Sequence, residues 1–178
     1  MLNNLLYKVY NMINESTKEI KRIKITADDL LQKYANGERR FRNISLRNAD
    51  IKNANLRGAD FRGSDLSSSY FYSVDFKGSD FTNAKFKKSI FQNTYLTRAN
   101  FRNADLSFSI FSHVTLKNTN FAKSNLTHAH FYKSNLCDAD FRDAKLKGIF
   151  IKKPISKNRR TLLNDNSNRI ICDIFKLG

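Results

Sequence analysis

Large apolar side chains recur at every fifth position over most of the chain. Stepping by five from Phe41 to Leu146 gives 22 positions, of which 12 are Phe, nine are Leu and one is Ile. Between Ala49 and Ala144, the 20 positions two residues before such a side chain hold only Ala, Ser, Thr or Val. Two residues after it, 13 of the 22 positions are Asn, Gly or Asp, which tolerate tight turns and left-handed backbone. Each block of five is therefore predicted to point two side chains inward and then to bend.

A period of five matches neither the 3.6-residue period of a helix nor the two-residue alternation of a strand. It suits a chain that coils around an axis, with short extended sides and about 4.8 Å between successive coils. Reading every twentieth position places like side chains in one column, which indicates four blocks in each coil. One such column consists of six Phe residues: Phe41, Phe61, Phe81, Phe101, Phe121 and Phe141. The sequence thus predicts an all-β solenoid with a square cross-section and about five and a half coils over residues 41–150.

The blocks resemble the pentapeptide-repeat family, whose pattern is Ala, then Asp or Asn, then Leu or Phe, then two variable positions. The resemblance covers about 110 of the 178 residues. Clear copies of the pattern begin at Ala54, Ala59, Ala99, Ala104 and Ala139, and the copy that begins at Ala49 has Ile51 at the large position. It implies the family's right-handed quadrilateral β-helix. Some family members resemble DNA and act on type II topoisomerases, a role that goes with strong negative charge. This chain has a net charge of +16, so DNA mimicry is not expected.

Residues 1–40 are predicted to form two helices ahead of the first coil. Apolar residues at three- and four-residue steps, from Leu2 to Ile23, indicate an amphipathic helix from about 2 to 24. A shorter helix, over about 27–36, is expected to start after Thr26 and to stop at Gly37. Its apolar residues are predicted to cap the first coil, because an open solenoid end exposes rings and unpaired backbone: Leu30, Leu31 and Tyr34.

Residues 151–178 form a basic tail after the last regular block, and Pro154 marks the boundary. Two apolar groups, at 162–163 and 170–175, are separated by the turn-rich stretch 164–168. That arrangement favours a hairpin or a turn of helix that caps the lowest coil. Disorder up to about residue 160 is the alternative.

One side of the predicted coil carries apolar residues at a position that should face solvent. The column reads Asp50, Tyr70, Ile90, Ile110, His130 and Phe150. Nearby outward positions add Tyr72, Phe108 and Tyr132, and Tyr95 extends the set around a corner. A continuous apolar strip on a surface usually marks a contact site. Three occupants remain open: the N-terminal helix of the same chain, a second copy of the chain, or a different protein.

Cationic residues also fall into columns. Arg42, Arg62, Arg102 and Arg142 share one, and Arg57, Lys77 and Lys117 share another. Such ladders could bind the phosphates of nucleic acid or another polyanion, with an affinity that falls as salt is added. Asp60 and Asp140 lie two residues before Arg62 and Arg142, however, so solvated ion pairs explain the same pattern. This chemistry is the first alternative to protein binding.

Attachment to an anionic membrane surface through the helix over about 2–24 is the second alternative. The chain contains no run of 18 apolar residues, so a transmembrane protein is not expected. Only two cysteines are present and the N-terminal segment lacks the composition of a signal peptide, which together predict a cytoplasmic protein.

Candidate catalytic and metal-binding residues are sparse. The histidines His113, His128 and His130 have no Cys or carboxylate cluster nearby to complete three or four metal ligands. No serine occupies a nucleophile elbow and no glycine-rich loop precedes a helix. Catalysis also needs a desolvated pocket, which a rod filled with Phe and Leu does not offer. The sequence therefore predicts a non-catalytic scaffold, without a cofactor, that presents flat faces to another macromolecule.

Overall fold

The computed structural model describes residues 22–152. In chain order the elements are β1 (Ile23–Lys24), α1 (Ala27–Ala35), β2 (Ile44–Ser45), β3 (Asp50–Lys52), β4 (Tyr70–Tyr72), β5 (Ile90–Gln92), β6 (Ile110–Ser112), β7 (His130–Tyr132) and β8 (Phe150–Lys152). Strands β3 to β8 form one six-stranded parallel sheet in sequence order, and β1 and β2 form a second, two-stranded sheet. Each strand of the large sheet belongs to a different turn of the chain, so the fold is a β-solenoid of about six turns.

Every pairing from β3 onward joins a residue to the one twenty positions later in the chain. In the large sheet, for example, Ile90 lies opposite Ile110. On the other three sides single bridges join residues at the same interval, such as Asp60 with Asp80 and Tyr95 with Thr115. Four blocks of five therefore make one turn, which confirms the square cross-section. We number the four sides in chain order by the large residue that each has in the first coil: Phe41, Leu46, Ile51 and Leu56. The large sheet is then the third side, since β3 contains Ile51.

The corners require left-handed backbone at every turn. Each residue that lies two positions after a large inward side chain has a positive φ, and most of these residues are not glycine. Asn and Asp tolerate this conformation, whereas other side chains with a Cβ occupy it at a cost of about 1–2 kcal/mol. Phe108, for example, has a φ of 59°. Stacking of neighbouring coils thus imposes the corner geometry even where the local residue does not favour it.

The interior is filled by the large side chains, and all 12 Phe residues of the five-residue pattern are at most 2% exposed. Within a column the rings stack, as in Phe91 and Phe111, whose centroids are 4.8 Å apart with an interplanar angle of 1°. Rings from adjacent sides meet edge to face, as in Phe81 and Phe86 at 83°. Both arrangements are favourable for aromatic rings. The core is therefore a set of columns, and each column continues through successive coils.

Most of the small polar residues in the interior bond to the coil above. The hydroxyl of Ser89 donates to the backbone oxygen of Leu66 at 2.8 Å, and that of Thr119 donates to the backbone oxygen of Leu96 at 2.9 Å. These bonds satisfy hydroxyl groups that burial would otherwise penalise. Serine and threonine can therefore replace alanine at the small inward positions.

Helix α1 caps the first coil as the sequence predicts. Thr26 and Asp29 form a capping box, in which the Thr26 Oγ1 accepts from the Asp29 N–H and the Asp29 carboxylate accepts from the Thr26 N–H. Leu30 is fully buried, and the Tyr34 hydroxyl donates to the backbone oxygen of Arg57 at 2.8 Å. The helix is thereby attached to the end of the solenoid.

The prediction of helix up to residue 24 is wrong at its end. Ile23 and Lys24 are extended and pair in parallel with Ile44 and Ser45, and the Ile23 side chain is 70% exposed. The physical reason is the open edge of β2, whose unpaired backbone groups bind another strand. The rest of the predicted helix lies outside the described residues.

At the other end, β8 runs to Lys152, just beyond the predicted end of the repeat region at residue 150. The predicted C-terminal cap over 153–178 lies outside the described residues. Within residues 22–152, no helix is long and apolar enough to cross a membrane.

Candidate interaction surfaces

The large sheet places most of the predicted contact residues on one strip. We call these residues the apolar strip: Tyr70, Tyr72, Ile90, Ile110, His130, Tyr132 and Phe150. They are the first or third residues of strands β4 to β8, because the central residue of each strand points into the core. Ile90 (36%), Ile110 (39%) and Phe150 (50%) are exposed, and so is His130. The strip is thus continuous over five coils.

Two of the predicted contact residues lie outside the strip. Phe108 occupies the corner between the second and third sides, is 48% exposed and stacks on His128 at 5.1 Å between ring centroids. It therefore borders the strip. Tyr95 lies on the fourth side, where its backbone bridges to Asp75 and Thr115. Tyr95 belongs to a different surface.

Strands β4 to β7 carry no Lys, Arg, Asp or Glu. Their outward residues are aromatic, aliphatic or uncharged and polar, whereas the flanking strands β3 and β8 contain charged residues. On a chain with a net charge of +16, the strand residues in the middle of the third side are thus uncharged. Two ammonium groups reach the strip from its edges: that of Lys52 lies over the Tyr70 ring and that of Lys133 over the Tyr132 ring. Sequence analysis identified the apolar residues but missed the absence of charged residues from these strands. The signal is in the sequence, since the first and third residues of each strand face the same way and none of them is charged.

The first cationic column is largely neutralised. Arg42 Nε lies 2.6 Å and Arg62 Nη2 2.7 Å from Asp60 Oδ2, and Arg62 Nε also lies 3.5 Å from Asp80. Arg102, the next arginine of this column, has no ion pair among residues 22–152. Thr82 interrupts the ladder between Arg62 and Arg102.

The lowest member of this column forms a bidentate pair. Arg142 donates to Asp140 through Nε at 2.9 Å and through Nη2 at 2.6 Å. The hydrogen bonds from the Arg142 guanidinium hold the pKa of the Asp140 carboxyl below its usual value, against the opposing effect of partial burial. The arginine column therefore consists mainly of solvated ion pairs.

The second cationic column lines a groove on the fourth side. A cavity of about 320 Å³ is bordered by the predicted residues Arg57, Lys77 and Lys117, and by Arg98, which sequence analysis did not single out. Arg98 lies at a corner one coil below Gly78, where the missing side chain leaves room. We call these four cations and the space between them the basic groove.

The three histidines contact aromatic rings instead of one another. His113 packs edge to face on Tyr132, His128 stacks on Phe108, and His130 packs on Phe150. Among residues 22–152, no three His, Cys, Asp or Glu side chains come together in a group that could hold a metal ion.

The geometry defines a class of protein: a four-sided β-solenoid with a filled core, whose surface chemistry lies in exterior columns. Comparison with known families gives the same result. The family model described as "Pentapeptide repeats (8 copies)" matches residues 40–78 and the model described as "Pentapeptide repeat region" matches residues 64–141. The chain belongs to the pentapeptide-repeat family.

Solved structures of pentapeptide repeat proteins resemble this chain at low sequence identity. One from the Arabidopsis thaliana thylakoid lumen is 22% identical with a TM-score of 0.53, over 72% of this chain and 77% of that one, and shows the same fold. HetL of Nostoc sp. strain PCC 7120, a protein involved in heterocyst differentiation regulation, is 17% identical with a TM-score of 0.42, over 70% of this chain and 94% of that one. QnrB1, a plasmid-mediated fluoroquinolone resistance protein, is 17% identical with a TM-score of 0.32, over 78% and 73%. Among curated proteins, no sequence matches this chain.

Proposed function

We propose that this pentapeptide-repeat protein is a non-catalytic scaffold that binds protein through the apolar strip, and that the occupant is a second copy of the chain. The observation that carries the proposal is the combination on one flat side of exposed Ile90 and Ile110 with four successive strands that lack charge. Protein interfaces are depleted of charged residues at their centres. Burial of this surface removes apolar area from water, and strands β4 to β7 contribute no ion that would lose its hydration.

Charge favours a second copy as the occupant. Two molecules of net charge +16 repel one another, so they meet best where neither presents a cation. Strands β4 to β7 carry no cation of their own, and the two ammonium groups that reach the strip, of Lys52 and Lys133, lie over the Tyr70 and Tyr132 rings at 5.7 Å and 5.3 Å from their centroids. In a dimer with two-fold symmetry, both partners contribute the same surface, and this is the usual geometry of homodimers.

The spacing of the strip favours the same arrangement. Outward side chains repeat once in each coil, at about 4.8 Å. A second copy presents a ladder with the same interval, so its side chains fit between those of the first along the whole sheet. A protein surface without stacked β-strands does not present this interval.

The size of the strip sets the expected strength of the association. Six strands about 4.8 Å apart and three residues wide give a face of about 24 by 10 Å, smaller than the roughly 800 Å² that each partner contributes to a standard stable interface. Phe108 and neighbouring corner residues add to the rim. We therefore expect a weak, concentration-dependent dimer.

Light scattering over a range of protein concentrations tests the proposal. The wild-type mass should rise from that of a 20.7 kDa monomer towards twice that value, and added salt should strengthen association because it screens the repulsion between copies. The double substitution Ile90→Asp with Ile110→Asp should keep the protein monomeric. Thr115→Asp with Asn135→Asp is the matched control, since it adds two carboxylates at the equivalent positions of adjacent coils on the fourth side.

Two results would contradict self-association. One is a wild-type protein that stays monomeric at every concentration, and the other is an equal loss of association in both double variants. If the full chain is monomeric and deletion of residues 1–21 makes it associate, the occupant of the strip is that segment and not a second copy. Circular dichroism of each variant checks that the solenoid is intact.

A further inference from the structure

The basic groove gathers cations from successive coils, independently of the apolar strip. Arg57, Lys77 and Lys117 share one column, and Arg98 enters from the adjacent corner at the level between Lys77 and Lys117. With about 4.8 Å between coils, the four charges extend over about 14 Å along the solenoid. The arrangement is a row and not a cup, so a single phosphate ion could contact only part of it.

Most of the positive charge in the groove is unpaired. Asp75 is the one carboxylate within ion-pair distance of these cations among the described residues, at 3.7 Å from Arg57 and 3.5 Å from Lys77. Both distances are long, and the Arg57 side chain is 58% exposed, so these pairs hold the cations weakly. Arg98 and Lys117 have no ion pair among residues 22–152. The groove therefore has a net charge of about +3, unlike the arginine column on the first side.

An aromatic ring lies beside one cation of the groove, although it does not line the cavity. Tyr95 is 46% exposed, and the Lys77 ammonium lies 4.8 Å from the centroid of its ring. A row of cations beside an exposed aromatic ring is the combination that binds single-stranded nucleic acid, because phosphates follow the charges while an unstacked base packs on the ring. Base pairs in a duplex are already stacked on both sides and gain nothing from such a ring.

We propose that the basic groove binds single-stranded nucleic acid, with consecutive phosphates along Arg57, Lys77, Arg98 and Lys117 and a base stacked on Tyr95. The contacts are with backbone and ring faces, so recognition is independent of base sequence. The groove lies on the fourth side and the apolar strip on the third, so the chain binds nucleic acid as a monomer or as a dimer.

Fluorescence anisotropy with a labelled 12-nucleotide oligo-dT tests the role of the cations. Wild-type affinity should fall as salt rises, with a slope of log K against log salt of about −2 to −3 for three or four phosphate contacts. Arg98→Glu with Lys117→Glu should weaken binding at low salt by roughly tenfold or more and reduce the slope by about 1.4, the value for two lost contacts. The matched control is Lys87→Glu with Lys147→Glu, which makes the same change in net charge on the opposite, second side.

The control separates a built site from general attraction between a basic protein and a polyanion. Equal weakening in the two double variants would overturn the proposal, and so would a wild-type protein that does not bind oligo-dT at low salt. A monomeric result in light scattering would contradict the proposed function while leaving this site untouched, so the two failures are distinguishable.

Substitutions of Tyr95 test the stacked base. Tyr95→Ala should weaken oligo-dT binding by roughly tenfold, whereas Tyr95→Phe should retain it, because stacking needs the ring and not the hydroxyl. Inorganic polyphosphate and a duplex of the same length should bind more weakly than oligo-dT and should not respond to Tyr95→Ala. If either binds as tightly as oligo-dT, or if Tyr95→Ala has no effect on oligo-dT, the groove is a general polyanion site and the proposal is wrong.

Discussion

Phe101 and Phe108 are the same residue type in the same turn of the solenoid, yet one is fully buried and the other is 48% exposed. Phe101 stacks between the rings above and below it, at 4.8 Å and 5.3 Å between centroids. Phe108 occupies a corner where its backbone φ is positive. The difference separates two kinds of position: interior positions, whose residue type the fold requires, and exterior positions, where the fold accepts many residues and the surface chemistry can vary.

The largest expected contrast comes from removal of these two rings. Phe101→Ala should lower the free energy of unfolding by about 3–5 kcal/mol, because it leaves a cavity inside a continuous column. Phe108→Ala should lower it by no more than about 1 kcal/mol, since the ring is half exposed and loses chiefly its stacking on His128. Urea unfolding of both variants measures the contrast. Similar losses of unfolding free energy in the two variants would show that the ring at the corner stabilises the fold as much as the ring in the core.

A smaller contrast exists within the interior itself, between two threonines at equivalent inward positions. The Thr119 hydroxyl donates to the backbone oxygen of Leu96 at 2.9 Å. The Thr94 hydroxyl is buried without a hydrogen-bond partner among the described residues. Val74 and Val114 occupy the same column directly above and below Thr94, so that the site already suits valine.

Replacement of each threonine by valine should therefore change the stability of the protein in opposite directions. Thr119→Val should destabilise the protein by about 1 kcal/mol through loss of its hydrogen bond, and Thr94→Val should stabilise it by about 1 kcal/mol through removal of an unsatisfied polar group. The two variants match in volume and chemistry, so each is the control for the other. A loss of stability in Thr94→Val would mean that its hydroxyl has a hydrogen-bond partner in solution.

The interior was predictable from the sequence because it is periodic. Phe at every twentieth position from Phe41 to Phe141 is enough to give the register, the number of sides and the faces to which other residues belong. The strand at Ile23 was not predictable in the same way. Its helical spacing continues the pattern of the preceding residues, and only the completed fold reveals the open edge of β2 with which it pairs.

For the exterior, the sequence predicts which residues face outward, but not which of them form ion pairs. The sequence places Arg62 and Lys117 in cationic columns. Whether each cation forms an ion pair depends on carboxylates of the same or the next coil. Asp60 and Asp80 lie within reach of Arg62, whereas Lys117 has no ion pair among residues 22–152. Arg98 was missed because its position in the repeat indicates a bend. The signal that could have found it is Gly78, the residue one coil above, since a glycine there leaves space for a groove.

The smallest expected effect tests whether the arginine column is as neutral as its geometry indicates. The hydrogen bonds from Arg142 lower the pKa of Asp140. A carboxyl whose pKa is lower in the folded state than in the unfolded state stabilises the protein above the unfolded value, near pH 4, and this contribution is lost as pH falls through the folded pKa. Asp140→Asn removes the charge but retains an acceptor for the Arg142 N–H, as Asn100 shows in the same column by accepting from the Arg102 N–H at 3.1 Å.

The wild type should therefore be more stable than Asp140→Asn at pH 7, by about 0.5 kcal/mol, because the Arg142 side chain is 64% exposed and solvent screens the pair. Urea unfolding at several pH values should show this difference to be constant above about pH 5 and to disappear in acid. High salt should reduce it at pH 7. A difference that persists at pH 2 would show that the asparagine disturbs the corner itself, and the lost stability could not then be assigned to the ion pair.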